Sequence, residues 1–599
     1  MAIHITFFLL ISCLFFQTAC TSATSPVKSA IPTRGDYTFM HKEISNLIKK
    51  KMKKNDVTGL SIAVVDGQKI VWKDGFGWAD KKNKIKATPE TVYRVGSITK
   101  LFTVTSAMQL AEQGKVDIDQ PLQKVLPQFE IKSRFKNADS ITLRNIMTHH
   151  SGIPANYARG MWSEEPESFT RLVDLLKDEY TAYPPNTIFS YSNVAMTLLG
   201  HAVQEVSDQP YGELIEQKLL IPMGMSDSYI ANALRNETKS SKGYSDNAEA
   251  IAMPLRDIPA GGLNSTVLDL ANFTKMVFAG GRSGGQQIVK AETLDEMMQF
   301  QDGDAPFDLG KQMGLGWFLE KQDSTGSGLK ASHGGDTFLF HSMLTTYPRY
   351  KLAVIVLSNS ESAAGIVSEI ADEALTLALA TKTGIRRPDT KHLSDVELPA
   401  TSEDLKTFPG YYSSENGVIQ IKNDGDRLQL ISDDDTLNLI LRQDGKYHLQ
   451  YKLLGLFTID LEGLDELGIS YGVKNGREVL LGEYRGYKMF VGEKIIPTPI
   501  TESWKSRTGS YEIINPTPAT FYKDLELGIE NDFLVVRYAV QQPYKEDVEE
   551  GGQFVLKIVD DLNAVIHGLG SGLNETIRVV HQDGDELLLW SGFLLRKVR

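Results

Sequence analysis

The pair Ser97 and Lys100 has residue types and a spacing that could support covalent catalysis. Residues three apart share a face of an α-helix, so the lysine amine can reach the serine hydroxyl. A desolvated, partly deprotonated lysine can take the serine proton, and the N–H groups at a helix start can stabilise an oxyanion. The pair therefore predicts a nucleophilic serine that a neighbouring lysine activates.

The Ser-x-x-Lys spacing has little specificity by itself, because it also occurs at residues 25–28, 133–136 and 327–330. We interpret those three copies as tether or surface loops. Ser97 differs from them because Gly96 precedes it and apolar residues at helical spacing follow it. This context makes it the candidate nucleophile.

Such chemistry needs a second proton carrier and a strand for the substrate, and the sequence offers two competing sets. One combines Tyr-Ser-Asn at residues 191–193 with His-Gly-Gly at 333–335; the other combines Ser-Asp-Asn at 245–247 with Lys-Thr-Gly at 382–384. We reject the second set. Its Lys-Thr-Gly suits the C-terminal end of an amphipathic helix, and its Ser-Asp-Asn lies in a polar stretch without flanking structure.

The first set has suitable surroundings. An extended segment leads into Tyr191 and a helix follows it. His333 is expected to open the strand at residues 339–347, where the glycines would let a substrate approach the backbone closely. We therefore predict that Tyr191 and His333 lie beside Ser97.

The elements that must position these residues form a mixed pattern. Residues 59–66 and 70–73 bracket a turn and predict a hairpin, and residues 339–347 and 352–357 predict a second one. Residues 363–382 have the spacing of an amphipathic helix. Hairpins alternating with helices predict an α+β fold, an antiparallel sheet flanked by helices.

Six ordered blocks between residues 40 and 380 resemble the serine β-lactamase and penicillin-binding-protein superfamily, on its class C-like side. The blocks are residues 93–100 (YRVGSITK), 143–154 (LRNIMTHHSGIP), 189–193 (FSYSN), 260–266 (AGGLNST), 314–317 (GLGW) and 333–335 (HGG). The resemblance implies a helix-covered antiparallel sheet with a helical insert. It also implies acylation of an active-site serine, and we expect no cofactor and no metal.

Matched position by position, the resemblance implies three catalytic roles. Ser97 would be the nucleophile, and Lys100 would assist its deprotonation. Tyr191 would pass a proton to the leaving group and later activate water.

The resemblance also implies the substrate-binding groups. Asn193 would hydrogen-bond the substrate, the N–H groups of Ser97 and Asp336 would form the oxyanion hole, and His333 and Gly335 would belong to the substrate strand. Typical β-lactamases carry a lysine where His333 stands, and a neutral histidine lacks the fixed charge that binds a carboxylate such as that of a penicillin. Histidine there is common among family members that act as esterases and D-amino-acid peptidases.

The N-terminus has the character of a secretory signal. Its apolar run, residues 5–16, is too short to span a bilayer and is followed by small residues. The two cysteines of the chain lie here, Cys13 within the run and Cys20 among the small residues. We predict a signal over residues 1–20 and a tether over 21–35. Cys20 would become a lipid-bearing first residue, or cleavage would follow Ala23 instead.

Beyond residue 400 the pattern changes to short strands and turns. Gly-Tyr-Tyr at residues 410–412 recurs loosely as Gly-Ser-Tyr at 509–511, which indicates two related, barrel-like all-β units. The predicted domains are a hydrolase domain over 36–385, a linker over 386–402, and β domains over 403–496 and 503–599.

The charge distribution argues against a nucleic-acid partner. The chain has 63 basic and 76 acidic residues, a net charge of −13, whereas nucleic-acid-binding proteins are usually basic. Residues 1–400 hold 42 basic and 44 acidic residues, and residues 401–599 hold 21 and 32. The excess acid keeps an exported protein soluble, or it attracts substrates with a free amino group.

We therefore predict an exported serine hydrolase that is periplasmic, anchored in the cell envelope or secreted. It would cleave a small amide, peptide or ester through a Ser97 acyl-enzyme. The order of domains also resembles the D-aminopeptidase branch. Two alternatives stay open: a true β-lactamase or D,D-carboxypeptidase, and a non-catalytic envelope lipoprotein that binds or senses a ligand. The sequence carries no signal for an oligomeric state.

Overall fold

The computed structural model describes residues 33–598 except 236–237, 302–304, 309–311, 323–326, 387–395, 433–434, 454–456, 460–466 and 485–486. The predicted signal, the Cys20 anchor and most of the tether and linker lie outside the described residues. Within the described part of the chain, no helix is long and apolar enough to cross a membrane.

An antiparallel sheet, eight-stranded within the described residues, forms the centre of the first part of the chain. In order across the sheet its strands are Gln312–Met313, Phe318–Gln322, Gly328–Thr337, Phe340–Tyr347, Leu352–Ser358, Gly59–Asp66, Lys69–Asp80 and Ile85–Lys86. The first hairpin joins the second edge to edge, with Leu60 opposite Ser358. Both predicted hairpins are confirmed, because each pair of strands is antiparallel and adjacent.

Helices cover both faces of this sheet. Thr38–Lys54 and Ile366–Thr383 pack on one face. On the other face lie Thr99–Glu112, Leu143–Met147, Leu172–Leu175, Asn193–Ser207, Tyr211–Ile215, Ile258–Gly261, Val267–Phe278 and Ala291–Met297. Side chains of successive strand residues point to opposite faces of the sheet. Ile62 and Val64 therefore pack in the core beneath Thr38–Lys54 and Ile366–Thr383, whereas Ala63 packs in the core on the other face. The predicted fold class is confirmed for this region.

The rejected motifs have structural roles. Lys-Thr-Gly at residues 382–384 ends the helix Ile366–Thr383, with Gly384 as its left-handed cap at φ 82°. The expectation that residues 245–247 lack flanking structure is wrong. They join the paired strands Gly243–Ser245 and Ala248–Ala250, and positive φ at residues 246 and 247 suits a two-residue hairpin turn.

The placement of His333 at the opening of residues 339–347 is also wrong. His333 lies inside the preceding strand, Gly328–Thr337, opposite Leu344. Two consecutive glycines lower the strand propensity of this segment, but pairing of Gly334 with Met343 and of Gly335 with Ser342 in the next strand overrides that preference.

The C-terminal part contains two closed β-barrels, each of eight strands as far as the chain is described. The first consists of Gly410–Ser414, Gly417–Asn423, Leu428–Ser432, Asp435–Leu441, Tyr447–Leu453, Leu467–Lys474, Arg477–Tyr484 and Tyr487–Ile495, with Phe457–Ile459 attached to Tyr447–Leu453. The second consists of Gly509–Ile513, Tyr522–Glu530, Phe533–Val540, Glu549–Ile558, Asn563–Ile566, Thr576–Gln582, Asp585–Trp590 and Phe593–Lys597.

The first strand of each barrel is anchored in the same way. A short helix precedes each barrel, Asp404–Thr407 and Glu502–Ser506. The hydroxyl of Tyr412 then donates to the carbonyl oxygen of Phe408 at 2.6 Å, and that of Tyr511 donates to the carbonyl oxygen of Arg507 at 2.6 Å. The recurring glycine-tyrosine motif therefore marks the same structural position in both barrels.

Candidate active site

Ser97 lies in the short 3-10 turn Gly96–Ile98, which leads directly into the helix Thr99–Glu112. The turn presses against the strand Gly328–Thr337. A Cβ on Gly96 would lie 2.6 Å from the backbone nitrogen of Asp336, and the φ of Gly96 is +51°, so this position requires glycine. The serine is thereby held, partly exposed, between a helix start and a strand.

Lys100 is fully buried, and within the described residues its amine has three hydrogen-bond acceptors. Nζ lies 2.9 Å from Oγ of Ser97, 2.8 Å from Oδ1 of Asn193 and 2.8 Å from the carbonyl oxygen of Ala260. Burial lowers the pKa of Lys100 to about 7, although the carboxylate of Asp257 opposes the shift. A large fraction of the amine is therefore uncharged at neutral pH and can accept a proton.

Tyr191 lies beside Lys100. It precedes the helix Asn193–Ser207, and its ring centroid lies 4.8 Å from Nζ of Lys100. Burial raises the pKa of the Tyr191 hydroxyl well above its usual value, and the neighbouring hydroxyl of Ser97 opposes this shift. The tyrosine therefore keeps its proton at neutral pH and is suited to pass it to another atom.

Asn193 forms part of the cleft wall. Its Oδ1 accepts the Lys100 hydrogen bond and its Nδ2 donates to Oδ1 of Asn156 at 2.9 Å. The side-chain amide is therefore fixed in orientation beside the nucleophile.

His333 is buried in the strand that faces Ser97. Its Nδ1 donates to the carbonyl oxygen of Gly334 at 2.6 Å, and Nε2 has no hydrogen-bond partner among the described residues. Burial, with a further contribution from the Lys100 charge, lowers the pKa of His333 to about 3. The ring is neutral at physiological pH and supplies no positive charge for a substrate carboxylate.

Gly335 sets the distance between the strand and the nucleophile. A Cβ there would lie 2.1 Å from the carbonyl oxygen of Val95 and 2.8 Å from the backbone nitrogen of Ser97. The strand backbone therefore packs directly against the turn that carries Ser97. The Asp336 carboxylate accepts a hydrogen bond from Nδ1 of His341.

A cleft of about 340 Å³ opens above Ser97 and has two kinds of wall. Met161, Trp162, Leu255 and Phe338 form the apolar side. Asn156, Asn193, Asp257 and Asp336 contribute polar groups. Among the described residues that line the cleft there are two carboxyl side chains and neither a lysine nor an arginine. Both carboxyl groups have partners within the protein, Asp257 with Arg256 and Asp336 with His341.

The structure brings together the predicted residues Ser97, Lys100, Tyr191, Asn193, His333, Gly335 and Asp336. It adds Asp257, which is fully buried, accepts a hydrogen bond from Nε of Arg256 at 2.6 Å and begins the helix Ile258–Gly261. The sequence analysis did not select Asp257. Its position three residues before the block of residues 260–266 was the one signal that could have identified it.

The fold and this site together define a serine hydrolase. The chain belongs to the beta-lactamase family, whose model matches residues 44–378, and this confirms the resemblance stated from the six blocks.

The curated relatives share the catalytic region. "Protein flp" of Staphylococcus aureus (strain N315) is 23% identical over 330 residues, which cover 53% of this chain and 63% of the relative. "Beta-lactamase-like protein 2" of Dictyostelium discoideum is 26% identical over 323 residues, covering 51% of this chain and 57% of the relative. The chain therefore spans less than two thirds of the length of these relatives.

Two solved structures match over a longer part of the chain. The octameric penicillin-binding protein homologue from Pyrococcus abyssi has a TM-score of 0.51 and 24% identity, covering 76% of this chain and 99% of that one. SurE, crystallised with D-Leu, has a TM-score of 0.53 and 20% identity, covering 76% of this chain and 100% of that one. These matches show the fold.

Proposed function

We propose that the protein is an exported serine hydrolase that cleaves small amide, peptide or ester substrates through an acyl-enzyme on Ser97. One observation carries the proposal: the buried amine of Lys100 lies 2.9 Å from Oγ of Ser97 and its pKa is lowered to about 7. A lysine in this state is a general base matched to neutral pH.

Each residue has a stated role in acylation. Neutral Lys100 takes the proton of Ser97 while Oγ attacks the substrate carbonyl carbon, and the N–H groups of Ser97 and Asp336 stabilise the oxyanion. Tyr191 gives its proton to the departing amine or alcohol as the carbon–heteroatom bond breaks. The proton held by Lys100 then returns to Tyr191, and Asn193 hydrogen-bonds the bound substrate.

Deacylation reverses the roles. Tyr191 accepts a proton from the attacking water while it passes its own proton to neutral Lys100, the bond between Oγ and the acyl carbon breaks, and the proton held by Lys100 goes to Oγ of Ser97. The products are a carboxylic acid and the free enzyme.

The test compares wild type with Ser97→Ala on p-nitrophenyl acetate and D-amino-acid p-nitroanilides. We expect turnover and fluorophosphonate labelling in wild type and neither in Ser97→Ala. Ser133→Ala is the matched control, because Ser133 belongs to another Ser-x-x-Lys sequence but is exposed. Equal turnover by wild type and Ser97→Ala would refute the proposal.

Nitrocefin, penicillin and the fluorophosphonate label distinguish the alternatives. A true β-lactamase or D,D-carboxypeptidase would hydrolyse nitrocefin or be acylated by penicillin, which the neutral His333 disfavours. A non-catalytic binding lipoprotein would leave Ser97 unlabelled by the fluorophosphonate.

Export remains part of the proposal and has its own test. Fractionation and mass spectrometry of the mature N-terminus should find the protein outside the cytoplasm, beginning at residue 20 or 24. A lipid adduct that disappears in Cys20→Ser would support anchoring, and an uncleaved cytoplasmic protein would refute export.

A further inference from the structure

The segment that carries Tyr191 has no regular secondary structure, so its backbone N–H groups depend on individual acceptors. The acceptors of its neighbours lie in the family-matched region: Phe189 N to Asp308 Oδ1 at 2.7 Å, Ser190 N to His149 O at 2.8 Å, Ser192 N to His149 Nδ1 at 3.1 Å, and Asn193 N to Ala155 O at 2.9 Å. These bonds fix the segment on either side of Tyr191.

The N–H of Tyr191 itself is bound from a different domain. It donates to Oγ of Ser571 at 2.7 Å. Ser571 belongs to the second barrel, in the glycine-rich loop of residues 567–575 between the strands Asn563–Ile566 and Thr576–Gln582. We call these residues the barrel loop.

The barrel loop is anchored from two directions. The hydroxyl of Tyr183, in the family-matched region, accepts the N–H of Gly570 at 3.0 Å. From the first barrel, Oε1 of Glu415 accepts the N–H of Ser571 at 2.7 Å. A Cβ on Gly570, whose φ is +131°, would lie 2.1 Å from that carboxylate oxygen, so the approach requires glycine. The position of Ser571 is therefore set by contacts of the barrel loop with Tyr183 of the family-matched region and with Glu415 of the first barrel.

We propose that Ser571 is a positioning residue for Tyr191, and that the second barrel thereby completes the active site. The inference rests on the proposed function, in which the Tyr191 hydroxyl must stay within hydrogen-bond distance of Oγ of Ser97. Proton transfer is steeply sensitive to such geometry, and a misplacement of about 1 Å can cost about a hundredfold in rate. Without the Ser571 acceptor, the backbone N–H of Tyr191 loses its hydrogen bond. The backbone position from which the tyrosine ring extends is then no longer fixed.

The test uses two variants of equal shape in the full-length chain. Ser571→Thr keeps the hydroxyl, whereas Ser571→Val removes it. We expect Ser571→Val to lower kcat at least about tenfold with a smaller change in KM, and Ser571→Thr to keep most of the wild-type rate. Hydrogen exchange of the peptide containing residues 189–193 should be faster in Ser571→Val than in Ser571→Thr.

A control from the same loop region separates positioning from general loosening of the interface. Oγ1 of Thr576 accepts a hydrogen bond from Arg134, outside the catalytic residues. Thr576→Val removes that interdomain bond and should leave kcat close to wild type. Equal kcat values for Ser571→Val and Ser571→Thr in folded proteins, or an equal loss in Thr576→Val, would overturn the positioning role.

The design also separates failure of this inference from failure of the proposed function. Absence of turnover that depends on Ser97 would refute the function, whatever the Ser571 variants do. Turnover that depends on Ser97 but ignores the Ser571 hydroxyl would refute positioning alone. The exchange measurement reads the state of the Tyr191 backbone without any substrate, and unchanged exchange in Ser571→Val counts against the proposal.

Discussion

The amine of Lys100 donates to the carbonyl oxygen of Ala260 at 2.8 Å, and Ala260 lies in the short helix that Asp257 begins. One helix therefore supplies both a fixed acceptor for the lysine and a carboxylate whose charge acts on its pKa. Burial lowers the pKa of Lys100, and Asp257 limits the shift. The balance places the titration of the candidate base near neutral pH.

Asp257→Asn should move the pH profile of the enzyme. In wild type, kcat/KM for a neutral ester should rise with pH through about 7, as Lys100 loses its proton. Removing the negative charge destabilises the ammonium form, so the pKa of Lys100 falls and the rising limb shifts to lower pH. The measurement is kcat/KM from pH 5 to 9, with the surface variant Asp139→Asn as control. If the rising limb of Asp257→Asn lies at the same pH as that of wild type, Asp257 does not act on the pKa of Lys100.

Gly335→Ala should impair catalysis more than the size of a methyl group suggests. The new Cβ would lie 2.1 Å from the carbonyl oxygen of Val95, so the strand must move away from Ser97. We expect kcat/KM to fall at least about tenfold, because the oxyanion donors separate. Gly528→Ala is the control, since its Cβ would meet Val535 at an ordinary 3.8 Å. Equal activity of the two variants would contradict the close approach.

The scaffold and the pair Ser97 and Lys100 were predictable because their signals are local. Continuous apolar runs mark buried strands, and Ser97 and Lys100 lie three residues apart where a 3-10 turn leads into a helix. The strand of His333 was misjudged because its two consecutive glycines carry no side chain that would mark a strand, although it forms a hairpin with the next strand, where Leu344 lies opposite His333. The contact of Ser571 with Tyr191 joins residues 380 positions apart, and no local pattern encodes such a pair. The glycines around Ser571 indicate that another part of the chain approaches this backbone closely, but they do not indicate which residue it contacts.

Loss of the tyrosine hydroxyl should lower the stability of each barrel by a similar amount. Tyr412→Phe leaves the carbonyl oxygen of Phe408 without its 2.6 Å hydrogen bond, and Tyr511→Phe does the same for Arg507. Each loss should cost about 1–3 kcal/mol of barrel stability. Hydrogen exchange should show faster opening of the affected barrel and not of the other. A destabilisation that spreads equally over both barrels would contradict independent anchors.

Glu575 should make the domain interface sensitive to pH. Its carboxyl lies at the end of the barrel loop, and Oε1 accepts the N–H of Ala155 at 2.7 Å. Burial raises its pKa to about 8, the Ala155 N–H opposes this shift, and the nearby carboxyl of Glu179 adds to it. Arg578 faces Glu179 and lowers the pKa of that second carboxyl, although burial still raises it overall.

The sign of the effect follows from proton uptake. Between the ordinary glutamate pKa of 4.5 and the raised pKa of about 8, the folded protein binds more protons at Glu575 than the unfolded chain does. The contribution of this group to stability is therefore greatest at low pH and falls as pH rises, with a limiting slope of about 1.4 kcal/mol per pH unit. Glu575→Gln keeps an oxygen acceptor for Ala155 but cannot ionise. Thermal unfolding from pH 5 to 9 should show a shallower decline in Tm for Glu575→Gln than for wild type, and the variant should be the more stable protein at pH 9. The exposed Glu512→Gln serves as control and should keep the wild-type slope; parallel Tm profiles for wild type and Glu575→Gln would mean that Glu575 is ionised in the folded interface.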